Sequence, residues 1–333
     1  MPRPSRFTFV SLQSGLGLVI IVLLAVLTSP RSASGDRIFL EVGNLTDILR
    51  QVSEIGIMAV GMTLVILTAG IDLSVGSTLA LATSIVGLCL TAWAPAMGTS
   101  GKIFFAICCA LAGSALAGAL NGFVVANLRI QPFIVTLASM IGIRGLARRL
   151  TNNTNIDFGF GSDAGSVFAR LGSQKSTVVA VFVVVFAVFS VFLTRTVFGR
   201  RARAIGDNST AAVYAGLPIR RTTIYVYTWC GLLAGLAGVI HAAQNHQGNP
   251  NAGISYELEA IAAVVIGGTS LAGGKGTMSG TLIGTLIMGI LTNMLRLNNV
   301  DSNTEMMLKA VIIVAAVWIQ QFDAAGFGKR QWS

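Results

Sequence analysis

The chain has 333 residues, of which 53% are hydrophobic and only 11% charged, with a formal net charge of +10. Those proportions, with a mean hydropathy of +0.75, exclude an ordinary soluble domain and describe an integral membrane protein. The positive balance does not point to nucleic acid, because the basic residues punctuate apolar runs instead of forming an aromatic-interleaved patch; in a membrane protein they mark cytoplasmic loops and contacts with anionic lipid heads.

Runs long enough for a hydrocarbon core of about 30 Å occur near 12–29, 51–70, 73–93, 103–127, 131–150, 177–194, 222–243, 257–272, 277–296 and 305–321. The first, behind Arg3 and Arg6 and ahead of RSASG at 31–35, fits a cleavable leader as well as a span. Its length, and the even span count it gives, favour the span. The most informative stretch is 61–82, GMTLVILTAGIDLSVGSTLALA, in which two apolar runs are separated by Gly70-Ile71-Asp72-Leu73-Ser74. An aspartate at the centre of a membrane helix costs about 2.5–3.5 kcal/mol on insertion scales. The cost is bearable where the break lies at a membrane face or inside protein, where irregular backbone finds partners. A second break, GTSLAGGKGT at 268–277, echoes the first when Gly70, Leu73 and Gly76 are laid on Gly268, Leu271 and Gly274. Corresponding broken helices in two halves are a transporter pattern, although two unrelated glycine-rich turns would read the same way.

The long gap at 151–176 is Gly/Ser/Asn-rich, as an outward loop would be. The gap at 195–221 holds six arginines and a single acid, Asp207, which makes it cytoplasmic and sets the threading of the rest. Arg144, Arg148 and Arg149, near the outer end of the fifth run, run against that rule. Within 195–221, Asn208 to Ala215 is helix-prone, with Asp207 or Asn208 placed to cap it and Gly216 to end it before Pro218. The residues leave open a docking element for a cytoplasmic partner or a charged loop that only sets topology. No gap is large enough for a soluble domain, so residues 1–333 read as one transmembrane domain.

No catalytic constellation, metal site or cofactor motif is expected. The four cysteines, Cys89, Cys108, Cys109 and Cys230, sit in apolar runs without a CxxC pair. His241 and His246 read as a helix end and the loop after it, and Glu257 and Glu259 as helix-start acids or an outer vestibule. The phosphate-loop lookalike around Gly274-Lys275 has Thr269 where its first glycine belongs and Gly276 after the lysine, so it does not bind ATP. Asp72, Ser74, Asn121 and Gln131 are polar groups in or beside spans. They are candidates to face a translocation path, with helix-to-helix hydrogen bonding as the competing role.

Three blocks together, GMTLVILTAGIDLSVGSTLALA at 61–82, AIGDNSTAAVYAGL at 204–217 and YELEAIAAVVIGGTSLAGGKGT at 256–277, resemble the permease subunits of bacterial ABC importers for monosaccharides, the branch of the ribose, xylose, galactose and galactofuranose systems. The likeness runs from about residue 50 to 321. It implies an all-α polytopic membrane protein of about ten transmembrane helices, broken in each half, in the bacterial inner membrane and paired with a second permease copy as a homodimer. It further implies two ATP-binding cassette subunits, a periplasmic or lipid-anchored sugar-binding protein, and a coupling helix at 207–217 in which Asp207, Asn208, Ala211, Ala212 and Gly216 take part. Nucleosides, branched-chain amino acids or a signalling furanose are the alternative cargoes. An ion-coupled secondary transporter is the alternative of a different class, and it is disfavoured because Asp72 reads as the only acid well inside the apolar runs. If the threading is right, a cysteine at Asn208 reacts with a membrane-impermeant thiol reagent only from the cytoplasmic side; reaction from outside would invert it.

Overall fold

A computed structural model of the chain describes residues 6–33, 35–93, 97–161, 163–312 and 314–315. In hydrocarbon a backbone N–H or C=O has no water to turn to, so the apolar runs coil and satisfy those groups internally. In chain order the helices are α1 (Arg6–Thr28), α2 (Val42–Leu67), α3 (Val75–Leu88, continued by a π-turn over Cys89–Trp93), α4 (Thr99–Leu128), α5 (Pro132–Leu150), α6 (Ala164–Ser173), α7 (Lys175–Arg195), α8 (Val197–Asp207), α9 (Ser209–Tyr214), α10 (Ile219–Asn245), α11 (Tyr256–Ile266) and α12 (Met278–Leu297). A further helical stretch begins at 302 and is described to 312. The last expected run, 305–321, lies partly outside the described residues, as do Arg3, Asp323, Lys329 and Arg330.

Among the described residues six helices are by themselves long and apolar enough to cross a membrane: α2, α3 with its π-turn, α4, α7, α10 and α12. The remaining expected spans are shorter or more polar. The C-terminal half of α5 carries Arg144, Arg148 and Arg149, and α11 stops at Ile266, well before the expected 272. Conversely α2 begins at Val42, nine residues ahead of the apolar run, through first turns of mixed polar and apolar residues in which Lys175 pairs with Asp47 (2.9 Å).

The centre of the bundle is α2, α3 and α10. Every residue from Gly56 to Leu67 and from Asp72 to Gly87 is buried, and α10 packs against α2, α3 and α4. Lipid tails are as apolar as leucine, so helices here gain little from hydrophobic burial and associate through close backbone approach at small residues. The antiparallel α4–α10 seam shows this. A Cβ on Gly231 would stand 2.5 Å from the Ser114 carbonyl oxygen and 2.9 Å from the Gly118 Cα. By contrast α1, α4 and α7 turn rows of large apolar side chains outward (Leu16, Val19, Ile20 and Leu23; Phe104, Leu116, Leu120 and Phe123; Val183, Val184, Val188 and Val191). These rows are left uncovered by the rest of the chain.

At the end away from the arginine-rich loop, Ile156-Asp157 pairs antiparallel with Gln247-Gly248, and α6 buries Ala164, Phe168 and Ala169. The 151–176 gap is thus an ordered cover and not a plain loop. It explains the misplaced arginines as well: Arg144 donates to the Pro250 and Ala252 carbonyls, and Arg148 Nε donates to Asn251 Oδ1 at 2.9 Å. These side chains hold the 249–252 turn in place.

Gly231→Leu should lower the thermal midpoint of the detergent-solubilised protein, since overpacking a tight seam costs roughly 1–3 kcal/mol. Gly142→Leu, where a Cβ meets nothing within 4 Å, should leave the midpoint unchanged.

Candidate functional site

The first break is built from the end of α2 onward. The helix closes with Ala69 N–H donating to Ile66 O (2.9 Å) and Gly70 N–H to Val65 O (3.1 Å), with Ala69 at φ +59°. The chain then runs through Asp72, which is 1% exposed. Asp72 Oδ1 accepts from the Ser74 N–H (2.9 Å) and from Ser74 Oγ (2.6 Å). Asn121 Nδ2 of α4 donates to Ser74 Oγ at 2.9 Å, and Ser139 Oγ of α5 donates to Asn121 Oδ1. Thr136 Oγ1, one turn away on α5, donates to the Ile71 carbonyl at 3.1 Å. The carboxylate also lies at the start of α3, where unpaired N–H groups and the helix dipole favour negative charge.

The structure therefore brings Asp72, Ser74 and Asn121 into one buried network. Gln131 is exposed at the start of α5 and is not part of it. Sequence reading missed Ser139 and Thr136. The i, i+3 spacing of Thr136 and Ser139 on one face of an otherwise apolar helix was the available signal.

The arginine-rich loop folds into two helices. Thr196 Oγ1 caps α8 by accepting from the Gly199 N–H. Gly199, Ala202, Ile205 and Gly206 of α8 face inward, with Arg200 and Arg201 outward. This helix was not expected; the small or apolar residues at 199, 202 and 205–206 were its signal. Partial burial lowers the Arg203 guanidinium from its ordinary value, which stands far enough above neutral to leave it a cation.

The helix expected over 207–217 is the shorter α9. Asn208 caps it, its Oδ1 accepting from the Ala211 N–H at 2.9 Å, whereas Asp207 is the last residue of α8. Gly216 ends α9 at φ +69°, with its N–H on Val213 O and that of Leu217 on Ala212 O, both at 3.0 Å. Ala212 points inward at 3% exposed, while Ala211 is exposed and Val213 and Tyr214 are 62% and 87% exposed. The capped turn thus holds an apolar valine and a tyrosine out in the open, and neither was singled out in the sequence.

The second break starts where α11 ends. Gly268 N–H donates to Val265 O (2.8 Å) and Thr269 N–H to Val264 O (3.1 Å), with Gly268 at φ +88°. The geometric counterpart of Gly268 is thus Ala69, one residue from the register in which Gly70 matches it. The same ending recurs at Gly216 and Asn299, so it is a general helix stop here. Thr277 Oγ1 then caps α12 by accepting from the Gly280 N–H at 3.0 Å. The two breaks touch: Gly274 N–H donates to the Leu67 carbonyl at 3.0 Å.

At the opposite end lie buried charges that hydropathy alone did not place. Glu54, well inside α2, pairs with His241 of α10 (3.0 Å), so Asp72 is not the only acid in the bundle. Lys309 bridges Glu259 (2.6 Å) and Glu305 (2.7 Å), tying the C-terminal helical stretch to α11. Glu257 packs against Gly76 of α3.

Residues 44–317 match a family model described as the branched-chain amino acid transport system / permease component. The chain belongs to that permease family. It is 43% identical over 317 residues to the ribose import permease protein RbsC of Escherichia coli (strain K12), covering 94% of this chain and 95% of that one. It is 35% identical to the L-arabinose ABC transporter permease protein AraH of Azospirillum brasilense, over 93% and 88% of the two chains. To the xylose transport system permease protein XylH of Escherichia coli (strain K12) it is 32% identical, over 95% of each. No solved structure matches it.

Asp72→Ala strips the acceptor from the Ser74 N–H and hydroxyl, and should cost roughly 1–3 kcal/mol, read as a lower thermal midpoint and less monodisperse protein. Asp72→Asn keeps an acceptor oxygen and should lose less.

Proposed function

We propose that this chain is the membrane permease of an ATP-driven importer that carries a monosaccharide, a pentose in the first instance, across the bacterial inner membrane into the cytoplasm. The observation that carries the reading is likeness over nearly the full length to permeases named for ribose, arabinose and xylose. The whole chain acts as one membrane domain. Two copies form the path, a sugar-binding protein delivers cargo from outside, and ATP hydrolysis belongs to two separate ATPase subunits.

The geometry supports the division of labour. The arginine-rich end, with α8 and α9, is the cytoplasmic one. There α9 presents Ala211, Val213 and Tyr214 outward as the face that docks on the ATPase, with Asn208 and Gly216 fixing its ends and Ala212 anchoring it from behind. Asp207, closing α8, carries its motion inward. ATP binding closes the ATPase pair, α9 moves with it, and the interrupted helices reshape the path between the two permease copies. Asp72, Ser74 and Asn121 hold the first break in shape beside that path. Gln131, on the exposed start of α5, contacts the path or the second copy. The binding protein supplies affinity, so the path itself need hold sugar only weakly.

Uptake of labelled ribose, arabinose or xylose by cells carrying the intact system is expected to depend on ATP and to persist when a protonophore collapses the ion gradient. Uptake that follows the gradient would assign the chain to ion-coupled transport. Ala211→Arg, on the exposed face of α9, should cut uptake at least tenfold with membrane insertion intact, and unchanged uptake would remove the docking role.

A further inference from the structure

Three backbone segments converge at the arginine-rich end: the stop of α2, the loop after α11 and the last turn of α8. Besides the Gly274 N–H bond to the Leu67 carbonyl, the contacts run through glycines with no room for a side chain. A Cβ on Gly206 would fall inside the Leu67 carbonyl oxygen and 2.6 Å from Gly274 N. One on Gly273 would stand 2.8 Å from Gly206 O and 2.9 Å from the Ala69 Cβ, and one on Gly274 would lie 2.8 Å from the Asp207 Cα. Gly273 and Gly274 both have positive φ, +88° and +73°, a conformation that glycine adopts without steric cost.

These obstacles are backbone atoms and one alanine Cβ, none of which can swing aside as a flexible side chain does. The last turn of α8 is therefore seated directly on both helix breaks at once. One residue further on, Asn208 caps α9, so the junction and the cap of α9 are joined by the single peptide bond between Asp207 and Asn208.

We infer that Gly206, Gly273 and Gly274 form a rigid clamp that binds α8 to both broken helices, so that displacement of α9 moves the two breaks as one body. The inference rests on the importer reading above, and it names these glycines as positioning residues that act through backbone contact. The clamp passes a push from the ATPase to both interrupted helices without a side-chain lever, because close-packed backbone transmits displacement and does not absorb it. Neither break then responds alone.

The test uses the assembled complex of permease, ATPase and binding protein in proteoliposomes, with sugar uptake and ATP hydrolysis measured together. Gly206→Ala forces the clamp apart. It is expected to lower uptake at least tenfold while ATP hydrolysis stays within twofold of the parent and no longer rises with sugar-loaded binding protein. A merely structural defect would lower hydrolysis and assembly together. Parental uptake and stimulation in Gly206→Ala, with uptake lost in Ala211→Arg, would overturn the clamp and leave the importer reading standing. Parental uptake in both variants would locate the failure in the docking role itself.

A second measurement, on the parent sequence, decides the matter if Gly206→Ala does not assemble. Backbone hydrogen exchange of the peptide that carries the Gly274 N–H, which donates to the Leu67 carbonyl, is followed by mass spectrometry in the nucleotide-free and the ATP-bound complex. A clamp that moves as one body predicts protection of that amide within twofold in the two states. A tenfold faster exchange in either state would show that the junction opens during the cycle and would overturn the inference.

Discussion

The structure depends on one constraint: where a membrane helix is interrupted, every backbone group it releases must find a partner inside protein. The stretch from Leu67 to Ser74 meets it in three ways. The stop of α2 folds its last N–H groups back on Val65 and Ile66, the Ile71 carbonyl is taken by Thr136, and the Leu67 carbonyl is taken by Gly274 of the other break. Asp72 completes the arrangement by holding the first turn of α3 through Ser74. Two interruptions thus satisfy each other in part, and neither is independent of the other.

The rest of the bundle follows from keeping that region dry. Helices α2, α3 and α10 surround the break with buried residues, and α10 approaches α4 and α2 at glycines, where small size permits backbone-to-backbone contact. The outer helices differ in kind, since α1, α4 and α7 turn their large apolar side chains outward and contribute less to the centre. Charge is confined in the same way. Glu54 with His241, and Lys309 with Glu259 and Glu305, are paired where they are buried, because an unpaired charge in this setting would cost several kcal/mol. The arginines of α8 that remain outward are those free to meet water, lipid heads or a partner.

Much of this was legible in the residues because hydropathy, glycine and arginine placement act locally. The runs, both breaks, the capped stretch after Asp207 and the arginine-rich end all follow from such local rules. What was not legible depends on which segments meet. Nothing along the chain ties Leu67 to Gly274 or Glu54 to His241. The early start of α2 escaped because first turns of mixed polar and apolar residues carry no clear apolar signal, yet Lys175, far along the chain, pairs with Asp47 within them. Arg144 and Arg148 argued against the topology until their acceptors, the carbonyls and amide of the 249–252 turn, were in place. Asp72, Ser74 and Asn121 stood out as polar residues in or beside apolar runs, and the structure joins them in one hydrogen-bond network. Gln131 has the same chemistry but lies outside their network, and Asp207 and Asn208 could be told apart only by which oxygen reaches the Ala211 N–H.

The central claim, that this permease is driven through α9 by a separate ATPase, is tested most directly by purifying the chain from its own cells in mild detergent and identifying by mass spectrometry what remains bound. A nucleotide-binding ATPase is expected in stoichiometric amount, with a sugar-binding protein recovered when cargo is present. A stable, monodisperse permease carrying no ATPase, with α8 and α9 intact, would contradict it.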